Sequence, residues 1–213
     1  MDLILGIDEA GRGAVLGPLI VAGVIVEAGK EERLWPLGAR DSKALSRPRR
    51  KTLLRDLWRE EVRGRVTVIP PKAIDHGNLT FLELQAMAEI VRKLRPTLVV
   101  LDPPVGPQAI PRFVHRFCQE AGIHPSSIRA FPKADAKNPV VATASILAKV
   151  VRDGYVGVLH KEFGDFGWGY PGERKVQEFL RGWLATHGEF PSICRKRWRS
   201  VQGLRALKLQ DGL

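Results

Sequence analysis

The chain has 213 residues, enough for one well-buried core and too few for two full-sized enzyme domains. Its 34 Lys and Arg against 23 Asp and Glu leave a net charge of +11, which points to a polyanionic partner, nucleic acid first. With 44% apolar residues gathered in short bounded runs and only two distant cysteines, Cys118 and Cys194, the composition excludes a disordered chain, a membrane-spanning segment, a disulfide framework and a zinc site.

Residues 3–7 form an apolar run closed by Asp8 and Glu9, and residues 19–26, rich in β-branched side chains, follow a turn carrying Gly11, Gly13 and Gly17. The pair predicts a hairpin. A basic helix is predicted over about 49–62 and a third strand over 65–69, stopped by Pro70-Pro71. A long helix is predicted over 79–94, where Leu82, Ala86, Ile90 and Leu94 share a face, and Pro96 ends it. Residues 97–101, Thr97 followed by an unbroken apolar run, suit a strand covered on both faces and lead directly into Asp102. A helix over about 108–121, a strand near 127–131 and a helix opening at Asn138-Pro139 complete the alternation. The order predicts an α/β fold: a mixed five-stranded sheet with its later strands parallel, flanked by helices. From about Tyr155 onward only helix-forming segments and a basic, Trp-containing tail remain, which predicts a helical lobe packed on the sheet. The first residues show neither a basic leader nor a cleavage site, so the expectation is a cytoplasmic protein.

Four acids stand at matching strand ends: Asp8 and Glu9 after the first strand, Asp102 after the fourth and Asp135 past the fifth. Taken singly, each is an ordinary turn former or helix cap. Taken together, they are hard oxygen donors without His or Cys among them, a set suited to Mg²⁺ or Mn²⁺. Adjacent strand residues point to opposite faces, so Asp8 and Glu9 share one site only if the strand ends or bulges there. The five histidines are scattered, and none is assigned a role.

The segment Gly6-Ile7-Asp8-Glu9-Ala10-Gly11-Arg12-Gly13 with Gly17-Pro18 resembles the opening signature of ribonuclease HII, the type 2 ribonuclease H family, in a form closer to archaeal and eukaryotic members. The likeness continues through residues 41–46, Leu101-Asp102, residues 133–136, residues 144–153, residues 167–171 and residues 194–198, nearly the whole chain. It implies a ribonuclease H-like catalytic domain over 1–154 and a helical substrate-binding extension over 155–213. By the resemblance, Asp8, Glu9, Asp102 and Asp135 are the metal-binding carboxylates. Gly11, Arg12 and Gly13 present backbone groups to a ribose 2′-hydroxyl, the atom that separates RNA from DNA, and Tyr170 packs on the neighbouring sugar. Lys43, Lys149 and Arg152 resemble phosphate contacts, and Asn78 resembles a contact to the uncut strand.

The implied activity is hydrolysis of the RNA strand of RNA/DNA hybrids and cleavage 5′ of ribonucleotides embedded in duplex DNA, by two metal ions, leaving 3′-hydroxyl and 5′-phosphate ends. A monomer is the default. Two rival readings remain at this level. One is a non-catalytic duplex binder using Arg47, Arg49, Arg50, Lys51 and the basic tract 195–199; the other is a DNA-directed nuclease on the same fold. The Gly-Arg-Gly turn paired with Tyr170 argues against the latter.

Overall fold

The computed structural model describes residues 2–35 and 45–210, with side chains described as far as residue 204. Five strands form one sheet: β1 (Leu3–Ala10), β2 (Leu19–Glu27), β3 (Arg63–Ile69), β4 (Leu98–Leu101) and β5 (Ile128–Ala130), in the order β3-β2-β1-β4-β5. The first three are antiparallel neighbours, while β4 and β5 run parallel to β1. The mixed sheet with parallel later strands is as the alternation predicts.

Helices cover both faces. On one side lie α3 (Leu79–Leu94) and α4 (Ile110–Ala121), whose Met87, Ile90, Phe113 and Phe117 pack on Leu5, Ile7, Val21, Val99 and Leu101. On the other lie α1 (Arg47–Leu57) and the 25-residue α5 (Pro139–Phe163), which cover Ile20, Ala22 and Val24. Each fully buried Leu, Ile or Phe stabilises by roughly 1.5–3 kcal/mol, so these two layers supply most of the drive to fold. The strand alternation assigns faces: odd residues of β1 meet α3, and even residues meet α5.

At Gly6 a Cβ would stand 2.4 Å from the backbone of Val140 and Val141, so only glycine lets α5 cross β1 this closely. Asn138 starts that helix, its Oδ1 accepting from the N–H of Val140 at 3.0 Å and of Val141 at 3.1 Å, with Pro139 at the first helical position. The close crossing brings Ser145 and Lys149, farther along α5, over the end of β1.

A third core joins α6 (Arg174–His187) and α7 (Arg199–Gln210) to the distal half of α5 through Val156, Phe166, Leu180 and Phe190, together with Val15 and Leu16 from the β1–β2 turn. The expected division at 154/155 falls inside α5, so the sheet and the helical lobe share that helix. Among the described residues no helix is long and apolar enough to cross a membrane.

Three local expectations are corrected. The basic helix stops at Leu57 rather than 62, because the chain turns at Glu61, whose φ of 57° lies in the left-handed region, before entering β3. Pro70-Pro71 does more than stop a strand: Pro71 opens a short helix, α2 (Pro71–His76), anchored by buried Ile74. Most consequentially, β1 neither ends nor bulges at the acids. Asp8 pairs with Ala22 and Glu9 with Val21 in unbroken register through Ala10.

Candidate active site

Because β1 stays regular, Asp8 and Glu9 point to opposite faces of the sheet. On the α5 side, Asp8 hydrogen-bonds the Ser145 hydroxyl, which accepts from Lys149 Nζ at 2.8 Å, with Asp135 beyond. Burial pushes the Asp8 carboxyl up to about 6, against the opposing pull of Ser145 and the Lys149 charge. On the α3 side, Glu9 faces Arg12, Glu83 and Asp102; burial first, then the negative charge of Asp8, holds its carboxyl well above the usual range. Its Oε2 is buried without a hydrogen-bond partner among the described residues.

Asp102 follows Leu101, which pairs with Ile7, so it leaves β4 beside the point where Asp8 and Glu9 leave that register. Its Oδ2 accepts from the Lys133 N–H at 2.9 Å, tying the β4 end to the turn that carries Asp135. Although Asp8 and Glu9 leave β1 on opposite faces, the charge of Asp8 still raises Glu9, Asp102 acts on Glu9 and Asp135 on Asp8, so the four acids are linked at the carboxyl ends of two adjacent parallel strands without the strand break expected from the sequence. Among the described residues, no three acids, histidines or cysteines close into a cage around one ion. The donor set still fits a hard divalent cation: it is all carboxylate, with Glu9 Oε2 buried and unbonded and two carboxyls lifted by burial, a deficit of positive charge that a cation removes.

Glu83, which the sequence pattern did not single out, is fully buried on α3. It accepts from Arg12 Nε at 2.9 and 3.2 Å, and burial lifts it to about 7 against the Arg12 charge. Arg12 also donates to the carbonyl of Pro104 at 3.1 Å. Its side chain is thus committed to the protein, leaving the backbone of the turn as the part free for a ligand.

The three glycine-turn residues divide their tasks. Gly11 has φ +90°, and a Cβ there would meet Arg152 Nε at 2.1 Å and the Pro18 carbonyl at 2.9 Å, so its glycine is required by the fold itself. Gly13 is exposed, and a Cβ added there would have no heavy atom within 4 Å. The loop of Gly169 is stitched to this turn, its carbonyl accepting from Val15 N at 2.7 Å and Leu16 N at 3.2 Å. That places Tyr170, 39% exposed, close by.

Arg152, expected as a phosphate contact, is bound into the protein at the floor of a cleft. Only 2% exposed, it donates to the carbonyls of Leu16 (3.2 Å) and Trp168 (3.0 Å) and lies 5.0 Å from the Tyr170 ring. Arg195 is fully buried as well, and burial lowers its guanidinium to about 10. Arg50 is engaged by Asp153 at 2.8 Å, and Arg47 stacks 3.3 Å over Trp168, so several cations of the duplex-binder reading are tied into the protein. Lys149, Arg47, Arg50, Arg152 and Tyr170 nonetheless line a cleft of about 190 Å³ beside Ala10. Asn78 caps α3, accepting from Phe81 N at 3.0 Å, at the mouth of a larger cleft of about 390 Å³ with Phe81, Arg112 and Arg116. Lys43 lies outside the described residues. The burial of Glu83, Arg152 and Arg195 carries no signal in the sequence, since charged residues default to the surface.

A mixed sheet with helices on both faces, and carboxylates gathered where two central parallel strands end, defines a nuclease of the ribonuclease H type. Comparison with known proteins places it further: the Ribonuclease HII family matches residues 5–201, and the chain belongs to that family. It is 40% identical over 210 residues to Ribonuclease HII of Archaeoglobus fulgidus, covering 97% of this chain and 98% of the relative, and 38% identical to that of Pyrococcus furiosus, covering 92% and 88%. Among solved structures, the ribonuclease H2 of Pyrococcus horikoshii superposes with TM-score 0.85 at 32% identity, covering 96% and 98% of the two chains. The ribonuclease HIII solved with Mn²⁺ shares the fold at TM-score 0.79 and 21% identity, covering 98% of this chain and 71% of its own. The chain is accordingly an enzyme, a nuclease acting on nucleic acid.

Proposed function

We propose that the chain is an endoribonuclease that hydrolyses the RNA strand of RNA/DNA hybrids and cuts 5′ of ribonucleotides embedded in duplex DNA, leaving 3′-hydroxyl and 5′-phosphate ends. Mg²⁺ or Mn²⁺ is the cofactor, held by Asp8, Glu9, Asp102 and Asp135, and the protein acts as a cytoplasmic monomer. The observation that carries the reading is the juxtaposition of exposed Gly13 and Tyr170 beside buried, charge-deficient carboxylates. A DNA-only nuclease has no use for a backbone donor flanked by open space where a ribose hydroxyl would sit.

Each residue has a distinct task. Gly11, Arg12 and Gly13 offer main-chain groups to the 2′-hydroxyl, and Tyr170 bounds the adjacent sugar. Lys149 holds Ser145 and, through it, the ionised form of Asp8. Lys149 also lines the cleft that would receive a backbone phosphate, as Asn78 does for the opposite strand. Lys43 is assigned the phosphate role on resemblance alone. Bound divalent cations supply the positive charge that stabilises the scissile phosphate and activates water.

The test is one incubation series with Mg²⁺ or Mn²⁺ on three duplexes: DNA with a single ribonucleotide, an RNA/DNA hybrid and all-DNA. Cleavage of the first two alone, 5′ of the ribonucleotide, is expected. Asp135→Asn should nearly abolish cleavage while duplex affinity, measured by fluorescence anisotropy, stays within a few-fold, because affinity rests on phosphate contacts. Binding of all three duplexes without cleavage would restore the non-catalytic reading.

A further inference from the structure

Fully buried Arg195 lies in the carboxy-terminal segment, 178 residues from Gly17, yet its guanidinium is devoted to the glycine turn. One arm donates to the Arg12 carbonyl at 2.9 Å; the other arm and Nε donate to the Gly17 carbonyl at 3.1 and 3.3 Å. Its own N–H donates to the Val15 carbonyl at 2.9 Å, and Leu16 forms a β-bridge with Cys194. The segment is anchored from behind by Asp75, whose carboxylate accepts from the N–H groups of Lys196 (2.9 Å) and Arg197 (3.1 Å). Among the described residues Arg195 makes no ion pair: buried Arg152 opposes its charge, Glu83 and Asp75 favour it only from beyond ion-pair distance, and the Trp198 ring lies 5.5 Å from the guanidinium. A desolvated guanidinium facing a second one and bonded only to carbonyls is a poor device for stability, which an apolar side chain of similar size would serve better. It is a good device for geometry, because the rigid fork holds two carbonyls at a set spacing.

That geometry has a direction. A trans peptide sets its C=O and N–H antiparallel, and the bond between Arg12 and Gly13 is trans. Drawing the Arg12 carbonyl inward to Arg195 therefore turns the Gly13 N–H outward, on the exposed side where nothing lies within 4 Å of the Gly13 Cβ position. We infer that Arg195 is a positioning residue for ribose recognition: by gripping the Arg12 carbonyl it aims the Gly13 N–H at the substrate 2′-oxygen. The inference rests on the proposed reading of the glycine turn and adds the residue that sets it.

The test compares affinity for two duplexes, identical except for one ribonucleotide, with Ca²⁺ in place of the catalytic metal. Because the readout is a ratio of two Kd values on one sample, a partly unfolded population cancels. Wild type should prefer the ribonucleotide duplex. Arg195→Lys, which keeps charge but loses the fork, and Arg195→Met, which keeps bulk, should each bring the ratio close to one and lower kcat per folded molecule at least about tenfold, with all-DNA affinity within about twofold. Gly13→Ala should do the same, and adding Arg195→Lys to it should cost nothing more. In wild type the Gly13 amide resonance should shift with the ribonucleotide duplex and not with all-DNA, a measurement that needs no variant. If wild type shows no preference, the reading of the turn fails. If wild type has a preference that the Arg195 variants retain, or the Gly13 amide does not move, the assignment of Arg195 is overturned.

Discussion

The two faces of β1 carry the same chemical group in different surroundings. On the α5 face, Asp8 meets a hydroxyl and, through it, an ammonium: Ser145 and Lys149 supply part of the compensation that its charge needs, and burial lifts it only to about 6. On the α3 face, Glu9 meets Asp102 and Glu83, and Arg12, whose charge pulls Glu9 down only in part, gives its Nε hydrogen bonds to Glu83. The protein itself partly neutralises one carboxylate and leaves the other to whatever binds. The contrast shows how a metal centre can be prepared unevenly, with one ligand held near its working ionisation and its neighbour kept as a stored electrostatic debt.

The comparison can be broken most directly by removing each charge. Glu9→Gln should reduce cleavage on the order of a thousandfold and yet raise thermal stability in EDTA at pH 8. Asp8→Asn should abolish cleavage similarly with a smaller gain, roughly 1–3 kcal/mol from the difference between about 6 and its ordinary 3.8. The sign follows from raised folded values: Asp8 costs stability as pH rises from its ordinary 3.8 to about 6, and Glu9 from its ordinary 4.5 upward, so both gains should shrink sharply toward pH 4. Equal gains for the two variants in calorimetry at pH 8 would erase the distinction between the faces.

Arg12→Ala probes the α3 face from the cation side. Arg12 favours ionised Glu83, so its contribution is present above about 7 and fades as pH falls through that value. A loss of about 1–2 kcal/mol is expected at pH 8, discounted for the partial exposure of Arg12, with a clearly smaller loss at pH 5. A loss independent of pH in denaturant melts would show that Arg12 acts through packing alone. The smallest effect belongs to Ser145→Ala, which removes the hydroxyl between Lys149 and Asp8. About 1 kcal/mol should be lost in EDTA at pH 8, and less at pH 4, where the folded-state Asp8 is protonated. An unchanged melting curve would mean that Lys149 compensates Asp8 without an intermediary.

Much of the architecture was legible in the chain. The bounds of α3 follow from Asn78, the 3.6-residue spacing of Leu82, Ala86 and Ile90, and Pro96; the start of α5 follows from Asn138-Pro139. Helix α2 was not, because six residues are too few for a period to emerge and its Pro-Pro start reads as a terminator. The continuation of β1 through Asp8 and Glu9 was missed for a different reason. Acids disfavour strands locally, and it is pairing with Ala22 and Val21 of β2 that holds them extended.

By itself the sequence determined the sheet-and-helix alternation, the four acids, the glycine turn and the family resemblance, since these rest on local pattern and residue type. Tertiary structure alone decided that Asp8 and Glu9 face apart, that Glu83 and Arg12 neutralise one another, and that Arg152 and Arg195 lie inside. The physical reason is that burial and charge pairing depend on which distant segments meet. Gly17 and Arg195, at opposite ends of the chain, become neighbours only once the third core has closed.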